Sequence, residues 1–202
     1  NYLEALETTR ATGNSSLTAL TALQIGQVHL QEHRYLEAET YLSEAETAGR
    51  ACGDLTNLVK VLKAQGALAS KRLAYDEARL RYDEALRTAE SLGDSVEAAV
   101  SLVLSGDMEK SRLQLADALS CYEQAKSRLE SYGAQANLEP GEIHELTESV
   151  EERIREMAES LGYRMGPGLE QVLIATANGT VSAPILVLES LDLHGYAVRN
   201  VK

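Results

Sequence analysis

The 202-residue sequence has no tryptophan and no phenylalanine, only two cysteines and three prolines, and nine tyrosines as its whole aromatic complement. Its basic side chains are outnumbered 19 to 31 by acidic ones, a formal charge of −12. Phosphate contacts need clustered lysine and arginine, and a single-strand platform needs rings beside those cations. Neither is present, so nucleic acid is excluded as a partner. Cys52 and Cys121 are too few and too far apart in sequence for a disulfide framework or a zinc site, and a reducing, cytoplasmic setting is the simplest reading. The most apolar stretch, Val172 to Leu188, is broken by Asn178, Gly179 and Pro184, which rules it out as a membrane span. Asn1 is not a natural start and the first repeat lacks its first helix, so the chain reads as a fragment and a missing targeting signal carries no weight.

What the sequence has is a forty-residue period. Ala5, Ala45, Ala85 and Ala125 align, as do Gly13, Gly53, Gly93 and Gly133; Ala38, Ala78 and Ala118; Gly26, Gly66 and Gly106; and Tyr2, Leu42, Tyr82 and Tyr122. A fixed period of this size with helical patterning means a solenoid, in which each unit buries its apolar face only by stacking on the next. The units are the second helix of a truncated repeat (1–13), three repeats (14–53, 54–93 and 94–134), a capping helix (135–162) and an appended segment (163–202). Each repeat predicts two helices, 16–32 with 35–51, 55–72 with 75–91, and 95–111 with 115–132. Glycine stops one helix, and a residue after it, Asn14, Ser15 or Ser16 in the first joint and Asp54 and Asp94 in the next two, caps the following one.

The spacing of Gly26, Ala38, Leu42 and Ala45, repeated as Gly66, Ala78, Tyr82 and Ala85 and as Gly106, Ala118, Tyr122 and Ala125, resembles the tetratricopeptide repeat family in its longer, forty-residue variety. Tyr35, Tyr75 and Leu115 follow the turn between helices as they do in that family. Gln65, Ser105 and Glu109 depart from it by placing polar groups at core positions, and His33, Leu73 and Leu113 stand where a turn glycine is usual. The resemblance implies an all-α, right-handed superhelix that binds a protein or peptide along the inner face of its first helices. Chaperone-tail receptors of the family clamp a carboxylate with inner-face cations. The matching positions here, Leu23, Gln27, Ala64, Val100 and Leu104, have none.

Beyond the repeats, Ile143, Leu146, Val150, Ile154, Met157 and Leu161 form one stripe of a helix starting near Pro140, with acidic residues and arginines opposite. Such a helix covers the last repeat. Val172–Ala177 and Thr180–Leu188 around Asn178-Gly179 read as a hairpin, with a capped helix over 182–194 as the alternative. This apolar tail needs cover, so docking on the solenoid or on another chain is expected.

Three candidate sites follow. His29-Leu30-Gln31-Glu32-His33 fits a zinc-protease pattern, but the predicted helix ends before His33, which argues for structural histidines and no metal. Asn14-Ser15-Ser16 and Asn178-Gly179-Thr180 match glycosylation acceptors and read as turn chemistry. The third is the inner wall: Leu20, Leu23, Gln27 and Leu30 on the first repeat, Lys60, Lys63 and Lys71 on the second, and Val100, Val103, Asp107 and Lys110 on the third. Three lysines flanked by apolar residues in an acidic protein predict a groove for an acidic segment with apolar anchors. No nucleophile, base and orienting group converge, so the expectation is a non-catalytic scaffold or adaptor without cofactor. The alternative is a sensor region of a larger signalling protein whose superhelix binds a small molecule or its own tail.

Overall fold

In a computed structural model of the chain, the structure describes residues 2–136, 144–161 and four strands between 171 and 201, with side chains described in 2–133 and 144–161. Eight helices follow in order: α1 Tyr2–Ala11, α2 Ser15–Gln31, α3 Tyr35–Cys52, α4 Leu55–Lys71, α5 Tyr75–Leu92, α6 Ser95–Ser111, α7 Leu115–Ala136 and α8 His144–Ser160. Each packs on its sequence neighbour, and α2 also touches α4 and α4 touches α6. The array is an all-helical solenoid, as the forty-residue period predicts.

Local chemistry sets the joints. Gly13, Gly53 and Gly93 adopt φ of 67°, 69° and 69°. The next residue's N–H then reaches back to close the helix end, Asn14 to Thr9 O, Asp54 to Gly49 O and Asp94 to Ala89 O, at 3.0–3.1 Å. Asn14, Asp54 and Asp94 then accept from Leu17, Asn57 and Glu97 backbone N–H at 3.1, 3.0 and 2.9 Å, capping α2, α4 and α6. Asn14 thus does turn work, while Asn178 lies outside the described residues. The turns inside the repeats use the same closure with a different residue. His33, Leu73 and Leu113 take φ of 60°, 62° and 63°. A side chain in this left-handed region costs about 1–2 kcal/mol each, which glycine would avoid.

The glycines inside helices mark close approaches. Gly26 faces Leu42, Gly66 the ring of Tyr82 and Gly106 the ring of Tyr122. Around them lie Ala38, Ala45, Ala78, Ala85, Ala118 and Ala125, all buried. In α1, Leu6 is buried, whereas Leu3 and Ala5 are exposed. Gly133 does not act as a stop: α7 runs on to Ala136, because Ala134 stands where Asp54 and Asp94 would cap a following helix.

The polar groups at core positions find partners nearby, although the buried Gln65 Oε1 and Glu109 Oε2 accept no hydrogen bond among the described residues. Gln65 Nε2 donates to Glu46 at 2.8 Å and the Ser105 hydroxyl to Ser101 O at 3.1 Å. Glu109 is buried against Arg79 and Arg112. Successive second helices are clamped across the repeats by Arg10–Glu44 at 2.5 Å and Arg50–Glu84 at 2.6 Å.

Helix α8 packs on α7 with Val150 and Met157 buried and Leu146 and Ile154 against the same core, whereas Leu161 at the end of the stripe read from sequence is exposed. Pro140 and Ile143 lie outside the described residues. In the appended segment, β1 Gln171–Thr176 pairs antiparallel with β2 Gly179–Pro184, and β3 Leu188–Leu193 with β4 Tyr196–Val201. The first hairpin was expected, although its second strand ends at Pro184, which has no N–H to continue the ladder. The helix considered for 182–194 is replaced by strands, and the second hairpin was not foreseen.

Candidate functional site

The first helices α2, α4 and α6 stand side by side and enclose an open groove of about 500 Å³. Leu20, Leu23 and Leu30 of α2 and Leu104 of α6 give its apolar sides, and Ala64 and Ala67 of α4 its floor. Gln24, Gln27, Lys60, Lys63 and Glu97 supply the polar groups. Alanines at the centre let an incoming chain approach the α4 backbone closely. The volume falls in the range of sites that enclose ligands or several side chains, about 300–1,000 Å³.

The structure redistributes the predicted site residues. Leu20, Leu23, Gln27, Leu30, Lys60 and Lys63 line the groove. Lys63 is not a free cation, however. Its ammonium pairs with Glu97 of α6, and its side chain is only 14% exposed. Lys71 is the last residue of α4, exposed at the turn and away from the groove lining. Val103 is buried in the core around Tyr122, and Val100 is half-buried outside the lining. Asp107 and Lys110 face α8: Asp107 accepts from Tyr122 Oη at 2.7 Å and Arg153 Nε at 3.0 Å, and Lys110 donates to Glu156 at 2.7 Å. The third repeat's end of the inner wall is therefore engaged by the capping helix. Lys60 is left as the one lysine of the lining without an ion pair among the described residues.

Glu97 is the residue that sequence reasoning missed. Arg10–Glu44, Arg50–Glu84 and Lys63–Glu97 all join opposite charges thirty-four positions apart. The first two recur under the forty-residue shift, but Lys63 aligns with Leu23 and Val103, so the register gave no signal for Glu97.

The histidine motif does not assemble. Helix α2 ends at Gln31 and His33 lies in the left-handed turn, so the two imidazoles do not share a helical face. The His29 ring stacks on Tyr41, centroids 5.3 Å apart, while His33 Nδ1 lies 3.1 Å from Tyr35 Oη.

No protein-family model matches the chain, and no curated protein matches it. Among solved structures, it is similar to BtubC (BKLC) from P. vanneervenii, with a TM-score of 0.59 and 16% identity over 86% of this chain and 77% of that one. A likeness at that identity concerns the fold, a helical repeat array. No helix among the described residues is long and apolar enough to cross a membrane.

Proposed function

We propose that this chain is a tetratricopeptide-type adaptor that holds a peptide segment of a partner protein in the groove between α2, α4 and α6, without catalysis and in the cytoplasm. The observation that carries the proposal is the groove itself: leucine sides, an alanine floor and a few polar groups, open to solvent along its length. Apolar anchors seated between Leu20, Leu23, Leu30 and Leu104 supply most of the affinity. Gln24 and Gln27 offer amides that can pair with an extended backbone. With Lys63 neutralised by Glu97, charge selection rests on Lys60, so the favoured segment has apolar anchors and one carboxylate beside them, not a run of acids. Two free thiols, one of them exposed, fit the proposed reducing compartment.

The test is selection from a random peptide display library on the wild type, with counter-screening on Ala67→Trp, which plugs the floor, and on Lys60→Glu, which inverts the exposed charge. Enriched peptides with apolar anchors and an acidic residue that lose binding to the plugged variant, while its helicity is unchanged, support the groove. Peptides that bind wild type and Ala67→Trp equally would place binding elsewhere.

A further inference from the structure

The four most exposed large apolar side chains of the described residues are Leu113, Leu36, Leu73 and Leu80, at 82%, 74%, 70% and 60%. They are not scattered. Leu73 and Leu113 occupy the turn between first and second helices, and Leu36 and Leu80 the first two turns of a second helix. The forty-residue register sets these turns along one edge of the solenoid, apart from the residues that line the groove. Leu73 and Leu113 also hold left-handed backbone, where leucine is a costly choice and glycine the undemanding one. The turn closure needs the left-handed backbone, which glycine would supply, and not the exposed leucine side chains.

Charge identifies the occupant. Along this edge Arg34 is committed to Glu32 and Glu37 and Arg72 to Glu39, while Arg79 and Arg112 share Glu109. Asp76, Glu77 and Asp117 are exposed at the starts of α5 and α7 without an ion pair among the described residues, against the single unpaired cation Lys71. Their place in a helix first turn complements the helix dipole, yet their charge still faces outward. Leucines bordered by net negative charge match an amphipathic helix with apolar residues on one face and lysine or arginine beside them. They also repel an anionic lipid surface.

We infer that the edge formed by Leu36, Leu73, Leu80 and Leu113, bordered by Asp76, Glu77 and Asp117, is a second docking surface, for a basic amphipathic helix of a partner protein. It is independent of the groove. The probe is a synthetic helical peptide of leucine and lysine with one apolar stripe, labelled for fluorescence anisotropy, beside a scrambled peptide of the same composition. The receptors are wild type, Leu73→Gly/Leu113→Gly, and the groove-plugged Ala67→Trp. The glycine pair relieves strain, so its melting temperature should rise by a few degrees while affinity for the striped peptide falls at least about tenfold, some 1.4 kcal/mol. Ala67→Trp should bind the peptide as wild type does, which separates this edge from the groove. The inference is overturned if wild type shows no saturable binding, if the scrambled peptide binds equally, or if the glycine pair retains full affinity. It is also overturned if sedimentation shows a wild-type dimer that the glycine pair abolishes, since a second copy would then be the occupant, or if wild type co-sediments with phosphatidylserine vesicles.

Discussion

Replacing the helix glycines one at a time by alanine tests whether the rings above them set the helix spacing. A Cβ on Gly66 would lie 2.5 Å from Tyr82 Cε1 and 2.7 Å from Cδ1, and one on Gly106 would lie 2.5 and 2.8 Å from the same atoms of Tyr122. Carbon atoms prefer about 3.5–4.0 Å, so each ring must retreat by roughly 1 Å. Tyr82 is 3% exposed and packed beside Ala69, Ala78 and Met108; Tyr122 is fully buried and its hydroxyl is held by Asp107 at 2.7 Å. Alanine gains up to about 1 kcal/mol of helix propensity, and overpacking costs about 1–3 kcal/mol. The expected net loss is about 1–2 kcal/mol for Gly66→Ala and somewhat more for Gly106→Ala, whose ring is fixed at both ends. At Gly26 the neighbour is Leu42, with Cδ2 and Cγ at 2.8 Å and the backbone N at 3.4 Å, and its side chain can rotate where a ring cannot. Gly26→Ala should therefore be the mildest. Urea titration followed by far-ultraviolet circular dichroism would rank the three. In the double variant Gly66→Ala/Tyr82→Leu the two changes should offset, with a coupling energy above about 0.5 kcal/mol. If Gly66→Ala alone stabilises the protein by about 1 kcal/mol, the ring does not press on the glycine and the explanation of the recurring glycines is wrong.

Two further expectations concern titration. Asp54 accepts from Asn57 backbone N–H at 3.0 Å, Ser16 Oγ at 2.9 Å and Asn57 Nδ2 at 2.8 Å, which hold its carboxyl below the usual range. A lowered folded value means that its contribution is complete above the ordinary aspartate value of about 3.9 and is lost as pH falls through the lower folded value. Asp54→Asn, which keeps one cap acceptor but loses the ionised oxygen that takes Ser16 Oγ and Asn57 Nδ2, should be less stable than wild type at pH 7, with the gap closing below about pH 4; acid unfolding curves that keep the same gap at every pH would refute this. Burial, followed by the fields of Glu109 and Asp117, pushes the Cys121 thiol up to about 11, whereas Cys52 is exposed. In the native protein the Cys52→Ser variant should react with a thiol reagent at pH 8 at least about tenfold more slowly than Cys121→Ser, and equally fast in denaturant.

The repeated parts of this fold could be read because they depend on neighbours in sequence. Gly53 with Asp54 and Gly93 with Asp94 carry their own stop and cap, so five of the helices from α2 to α6 fall within a residue of their predicted ends. Where that chemistry fails, so did the reading: Gly133 has no capping residue after it, and α7 continued. The candidate groove was legible in Leu20, Leu23, Gln27, Leu30, Lys60 and Lys63, whose placement follows from helical spacing alone. It was not legible in Asp107 and Lys110, whose partners Arg153 and Glu156 come from α8 across a connection outside the repeat, nor in the burial of Val103. Lys71 has the right spacing but lies one turn too far along α4.

The joints at Gly13, Gly53 and Gly93 share one closure and one cap, and the charge pairs Arg10–Glu44 and Arg50–Glu84 cross the first two in register. The unit 14–53 holds both Glu44, which answers the arginine before it, and Arg50, which answers the glutamate after it. A gene segment encoding such a unit can be duplicated or deleted in frame, and the new seam has the same bonds as the old ones. The length of the superhelix is thus open to heritable change in whole steps of one repeat, each adding a helix pair to the inner wall and leaving the remaining joints unaltered.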